Sequence, residues 1–196
     1  MPVGYVLDAD FVRPYAERAI AELGYINPDK LDLFVATVIR LWNTNPRDYY
    51  WRREVETLTA GELAAFGLGK WARTPRAIIE ALSVKGLADP ERTFETSFWH
   101  VLHAARGDMQ KRRELAVMYR RDGSRSPLWA GVQFRAAPQN PCAAAVALHD
   151  ALLQEPPDLP LAGCDREVCA CHWMLATTRW AKKEGLLNSD PGDHDK

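Results

Sequence analysis

Residues 163–173 read "GCDREVCACHW" and place three cysteines and a histidine within eleven positions. The chain holds four cysteines, and the fourth, Cys142, stands upstream in "NPCAAAV" (140–146). The spacing is C-x21-C-x4-C-x-C. Thiolates are the soft donors that a tetrahedral zinc ion takes, and four of them close one site with none to spare. A helix beginning at Cys142 favours its thiolate form. The expectation is zinc on Cys142, Cys164, Cys169 and Cys171, although the paired Cys-x-x-Cys of common zinc ribbons is absent. Two other uses stay open. Free thiols also serve as small core hydrophobes, and redox or nucleophilic chemistry would want an orienting acid that does not accompany them. His172 is a rival fourth ligand, but its adjacency to Cys171 makes joint ligation awkward, so a surface or hydrogen-bonded histidine is the plainer reading.

Outward from the cysteines, "LWAGVQFRAA" (128–137) reads as a short strand ending at the turn "PQNP". "CAAAVALHDALLQ" (142–154) reads as a helix by its alanine and leucine content, and "EPPDLPLAG" (155–163) as an extended return to Cys164. The tract from Asn140 to Trp173 resembles a cysteine-bearing module of bacterial and phage-related proteins, comparable to the end of phage head-morphogenesis proteins of the Mu F-like kind. Pro141-Cys142, Leu159-Pro160-Leu161, Gly163-Cys164, Cys169-x-Cys171 and Trp173 carry the resemblance. It implies metal binding and no reaction. The arginine frequent between the last two cysteines is Ala170 here, and the trailing His/Arg run is missing.

At 196 residues the chain can build one substantial core or two small ones. Its formal net charge of −1 means that any polyanion-binding surface must be local. The start "MPVGYVLDADFVRPYAERA" lacks the marks of a secretory signal, and no apolar run reaches bilayer-spanning length, so a cytoplasmic protein is expected. Such a compartment keeps thiols reduced, which favours metal over disulfides.

The first 125 residues read as helical. In "DADFVRPYAERAIAELG" (8–24), Phe11, Tyr15, Ala19, Ile20 and Leu23 recur at helical spacing before the stop at Gly24. In "NPDKLDLFVATVIRLWN" (27–43), Asn27 caps, Pro28 opens, and Leu31, Phe34, Val35, Val38, Ile39 and Trp42 line one face. Thr59-x-x-Glu62 is a capping box. In "TPRAIIEALSVKGL" (74–87), Thr74 caps, Pro75 starts a helix, and Gly86 supplies a left-handed stop. Asp89-Pro90 marks a turn, followed by a short strand through Thr93–Phe98.

This order, most of all the phrase "IIEALSVKGLAD" (78–89), resembles a winged helix-turn-helix over roughly residues 27–102. The following "SFWHVLHAARGDMQKRRELA" (97–116) is similar to the basic segment of phage and plasmid replication proteins. The resemblance implies a recognition helix starting at Thr74 and aimed at a major groove. Lys70, Arg73 and Arg76 would flank its start and Arg92 would stand on the wing. Between Arg106 and Arg125 seven basic residues face three acids, a local balance of +4, so Arg112, Arg113, Arg120 and Arg121 offer a second strip. A solvated face is the plain alternative for such a run.

The resulting expectation is a mainly α protein. A winged-helix-like helical domain (1–125) precedes a small zinc-stapled α+β module (128–185) and a flexible acidic tail (186–196), with the boundary at "DGSRSP" (122–127). The function expected is non-enzymatic binding of double-stranded DNA, with the zinc module as a docking surface and no membrane association. The alternative is a protein-binding adaptor or assembly subunit of a phage or mobile-element complex, using Trp42, Tyr49, Tyr50, Trp51 and Trp71 as an interface. A third reading, a small hydrolase using His100 or His103, lacks a nucleophile nearby.

Overall fold

The computed structural model describes residues 8–42, 56–69, 75–164, 166 and 169–187. It is mostly helical, with a small three-stranded antiparallel sheet near the C-terminus, an α+β arrangement. The chain divides into two units between Ala105 and Arg106.

The first unit begins with α1 (Ala9–Leu23). Asp8 caps it by accepting the Phe11 N–H at 2.7 Å, and Gly24 ends it at φ 67°. The face turned inward is Val12, Ala16 and Ala19, displaced from the expected one; Phe11 and Tyr15 instead pack edge to face at 5.5 Å, half-buried. Asn27 caps a 3-10 turn (Pro28–Lys30) that feeds α2 (Leu31–Trp42), whose Phe34, Val35, Val38, Leu41 and Trp42 are buried. The capping box is present in full at α3 (Ala60–Ala65).

Pro75 occupies the cap position of α4 (Arg76–Ala81), while Thr74 lies outside the described residues. Beyond α4, Leu82 forms a β-bridge with Ile26, and a 3-10 turn (Gly86–Ala88) follows. Gly86 is not a left-handed stop. A Cβ there would lie 2.2 Å from the Tyr25 carbonyl oxygen, so close backbone approach demands glycine.

The strand expected over Thr93–Phe98 is helix, part of α5 (Pro90–Met118). Phe94, Phe98, Val101, Leu102 and Ala105 are buried at helical spacing, and Phe94 meets Phe34 edge to face at 5.8 Å. Thr93 and Ser97 turn their hydroxyls onto the carbonyls of Asp89 and Thr93, four residues back. Thr93 also reaches the Gly86 carbonyl at 2.7 Å. These hydroxyls are thereby satisfied without strand partners. No wing exists at this position.

The second unit starts within α5, so the boundary expected at 122–127 falls inside it. That segment is a bonded turn: Asp122 accepts the N–H and hydroxyl of Ser124, and Arg125 reaches the carbonyls of Ala130 and Gln154. Strand β1 (Trp129–Arg135) sits at the centre of the sheet, between β2 (Leu152–Leu153) and β3 (His172–Thr177). Val132 pairs with Leu153 on one side and Leu175 on the other, and Phe134 opposes Trp173. Gly131 permits this packing, since a Cβ would meet the Leu153 carbonyl oxygen at 2.1 Å.

The helix expected over 142–154 is shorter, α6 (Ala143–Leu148). Asp150, at φ 63°, reverses the chain so that Leu152 and Leu153 join the sheet instead. A final helix, α7 (Thr178–Lys183), packs Ala181 inward. Among the described residues no helix is long and apolar enough to cross a membrane.

Candidate metal centre

Three segments bring the cysteines together. Cys142 is the cap residue of α6, and its sulfur accepts the Ala145 N–H at 3.4 Å. Cys164 follows Gly163, whose φ of 77° turns the chain, and its N–H bonds the Leu161 carbonyl at 3.0 Å. Cys169 and Cys171 lead directly into β3. Cys142, Cys169 and Cys171 are buried and Cys164 is half-buried. They share a core with Met118, Val132, Phe134, Ala145, Leu161 and Trp173. Trp173 is held by its indole N–H on the Pro157 carbonyl at 3.1 Å, and its own carbonyl accepts the Gln110 amide at 3.2 Å. The sulfur cluster is thus anchored to the sheet and to the end of α5.

The four cysteines approach one another at 3.7–4.2 Å, and all are free thiols. Disulfide sulfurs stand about 2.05 Å apart, so this is not a disulfide arrangement. Sulfurs held about 2.3 Å from a tetrahedral ion are about 3.8 Å apart along each edge, close to what is seen. Among the described residues, no group of three or more His, Cys, Asp or Glu side chains is already arranged to hold a metal ion. Mutual proximity and donor chemistry are what the cluster offers.

Its electrostatics run in two directions. Burial pushes the Cys169 thiol up to about 12, against a backbone hydrogen bond from Cys171 that pulls it down. Burial likewise raises Cys164, against a backbone hydrogen bond from Arg166. Three of the four sulfurs therefore accept a backbone N–H, from Ala145, Arg166 and Cys171. Such bonds favour the thiolate, the form a metal binds. A cleft of about 40 Å³, lined by all four cysteines and Arg166, opens beside them.

His172 is exposed at the start of β3, between buried Cys171 and Trp173. Strand alternation sends it to the opposite side, leaving Cys142 as the fourth donor at hand.

The expected nucleic-acid residues scatter. Lys70 and Arg73 lie outside the described residues, as do Tyr49, Tyr50, Trp51 and Trp71. Arg76 is engaged by Glu56 at 2.7 Å, Glu62 at 2.8 Å and Glu80 at 3.5 Å, so it serves the first unit's own packing. Arg92 stands on the first turn of α5, not on a wing. Arg112 pairs with Asp108 at 2.8 Å. Arg113, Arg120 and Arg121 are exposed. Trp42 is buried in the first unit and offers no interface. His100 places Nε2 3.0 Å from Glu22, and His103 stacks obliquely on Trp99.

Sequence reasoning missed Arg166 and Gln110, which lie off the cysteine spacing and reach the site through backbone carbonyls. No family model, curated protein or solved structure matches the chain. The two resemblances rest on the quoted residues alone.

Proposed function

We propose that this chain is a non-enzymatic DNA-binding protein whose second unit is fastened by a structural zinc ion on Cys142, Cys164, Cys169 and Cys171. The observation that carries the metal reading is the 3.7–4.2 Å spacing of four free thiols in one buried cluster. Zinc, when bound, supplies four bonds that tie the Cys142 arm to the segment 164–171; the small core of this unit gains a crosslink that its apolar contacts alone do not provide. With no wing, and with Arg76 committed to three carboxylates, the DNA contact is assigned to Arg113 near the end of α5 and to Arg120 and Arg121 in the segment just beyond it. Exposed guanidinium groups of this kind meet phosphates.

Fluorescence anisotropy against a labelled duplex, repeated over a range of salt, tests the proposal. Affinity should fall steeply with salt. The triple variant Arg113→Ala, Arg120→Ala, Arg121→Ala should flatten the log–log slope by about 3, since each lost phosphate contact removes about 0.9. Duplex binding that ignores salt and survives this variant contradicts it.

The second reading, a protein-binding adaptor, is favoured by the exposed apolar side chains Leu128, Val146 and Met174 in the second unit. It predicts salt-tolerant association with a protein and no duplex binding.

A further inference from the structure

Cys142 and the segment 164–171 are far apart in sequence, and Arg166 ties them together. Its Nη2 donates to the Pro141 carbonyl at 3.3 Å, one residue before Cys142. Its backbone N–H bonds the Cys164 sulfur, and its side chain lines the same cleft as all four cysteines.

A divalent ion on four thiolates carries a net charge of −2, and three of these sulfurs are buried. Burying such a charge is costly unless opposite charge or donors stand beside it. The backbone N–H groups on the sulfurs are dipoles and leave the net charge unchanged. Among the described residues that line the cleft, Arg166 is the cationic one. A guanidinium stays protonated at any working pH, so Arg166 keeps its charge beside the sulfurs.

Resting on the zinc reading above, we propose that Arg166 is a positioning residue of the metal centre: it locks the Cys142 arm through Pro141 and offsets the charge of the tetrathiolate. Its guanidinium supplies both functions, orientation through the hydrogen bond and neutralisation through the fixed charge. Neighbours of this kind change metal affinity by about 10–100-fold when removed.

The test is a chelator-competition titration of the full chain with Zn²⁺, and a parallel titration with Co²⁺ whose absorption reports thiolate ligation. Three proteins are compared: the unaltered chain, Arg166→Met and Arg166→Lys. Arg166→Met should retain one metal per chain and the thiolate absorption, with affinity lowered about 10–100-fold. Arg166→Lys keeps the charge but not the fork, and should recover part of that loss. Its advantage over Arg166→Met should shrink with added salt, as expected for a charge effect and not for a packing one. Thermal unfolding of the metal-loaded proteins identifies a variant that fails to fold; the Lys variant then decides the matter. Equal affinity in all three proteins overturns the role of Arg166 and leaves the zinc reading standing. Equal losses in the Met and Lys variants, insensitive to salt, overturn the charge role. Absence of metal binding by the unaltered chain overturns both.

Discussion

The Nε2 atom of buried His100, on α5, lies 3.0 Å from the carboxylate of Glu22, at the end of α1, which Arg18 engages from the other side at 2.7 Å. This pairing closes the first unit across two helices that are distant in sequence. It gives His100 a structural role. Glu22→Gln or His100→Ala should destabilise the protein by about 1–3 kcal/mol, the usual cost of disturbing a buried polar group and its charged neighbour. Denaturant midpoints measure this, with an unchanged slope showing that the fold is retained.

Glycine at 86 answers to the Tyr25 carbonyl. Gly86→Ala would set a Cβ 2.2 Å from that oxygen and 2.8 Å from Leu82, and should cost upwards of about 2 kcal/mol through overpacking. Gly61→Ala, in α3 with open space around its Cβ, should do the reverse and stabilise by about 0.5–1 kcal/mol. The two variants, compared by thermal unfolding, separate a steric demand from a propensity effect.

The capping box predicts an acid limb. The backbone N–H and hydroxyl of Thr59, and then Arg76, hold the Glu62 carboxyl down at about 2. A folded value below the unfolded one means that this stabilisation is fully present above the ordinary carboxylate range and is lost as pH falls toward 2. Glu62→Gln should therefore be less stable than the unaltered chain at pH 6. The difference should shrink between pH 4.5 and 2. A difference that grows on acidification would contradict the assignment.

The capping signals were legible because they are local: Asn27 and Thr59-Glu62 each satisfy a backbone N–H within three residues. β1 was legible for the same reason, as β-branched and aromatic residues sit between turn formers. Thr93–Phe98 was not, because its threonines and aromatics have strand propensity while its burial pattern repeats every three to four residues only when α5 is seen whole. The end of α6 depends on Asp150 taking a left-handed conformation, which a run of alanine and leucine does not announce. Gly86 was seen as glycine for the wrong reason, since its constraint comes from Tyr25, 61 residues away. At the cysteines, donor chemistry suggested convergence correctly, but nothing local pointed to Arg166 or Gln110.

Trp173, two residues after Cys171 on β3, is tied to Pro157 through its indole N–H and to Gln110 on α5 through its carbonyl. Gln110→Ala removes the bond to that carbonyl and should cost about 1 kcal/mol. Hydrogen exchange should report the loss in the amides of β3 and leave α1 and α2 unchanged. Uniform loss of protection across both units would contradict this local role.

Metal analysis of the purified full chain tests the central claim most directly. Elemental analysis after gel filtration should find one zinc per chain, with the four thiols unreactive to a disulfide reagent until a strong chelator is added. Cys142→Ser, Cys164→Ser, Cys169→Ser and Cys171→Ser should each lower the metal content. A metal-free protein that takes up no zinc on addition, or retention of full zinc by any one of those variants, would contradict the four-cysteine centre.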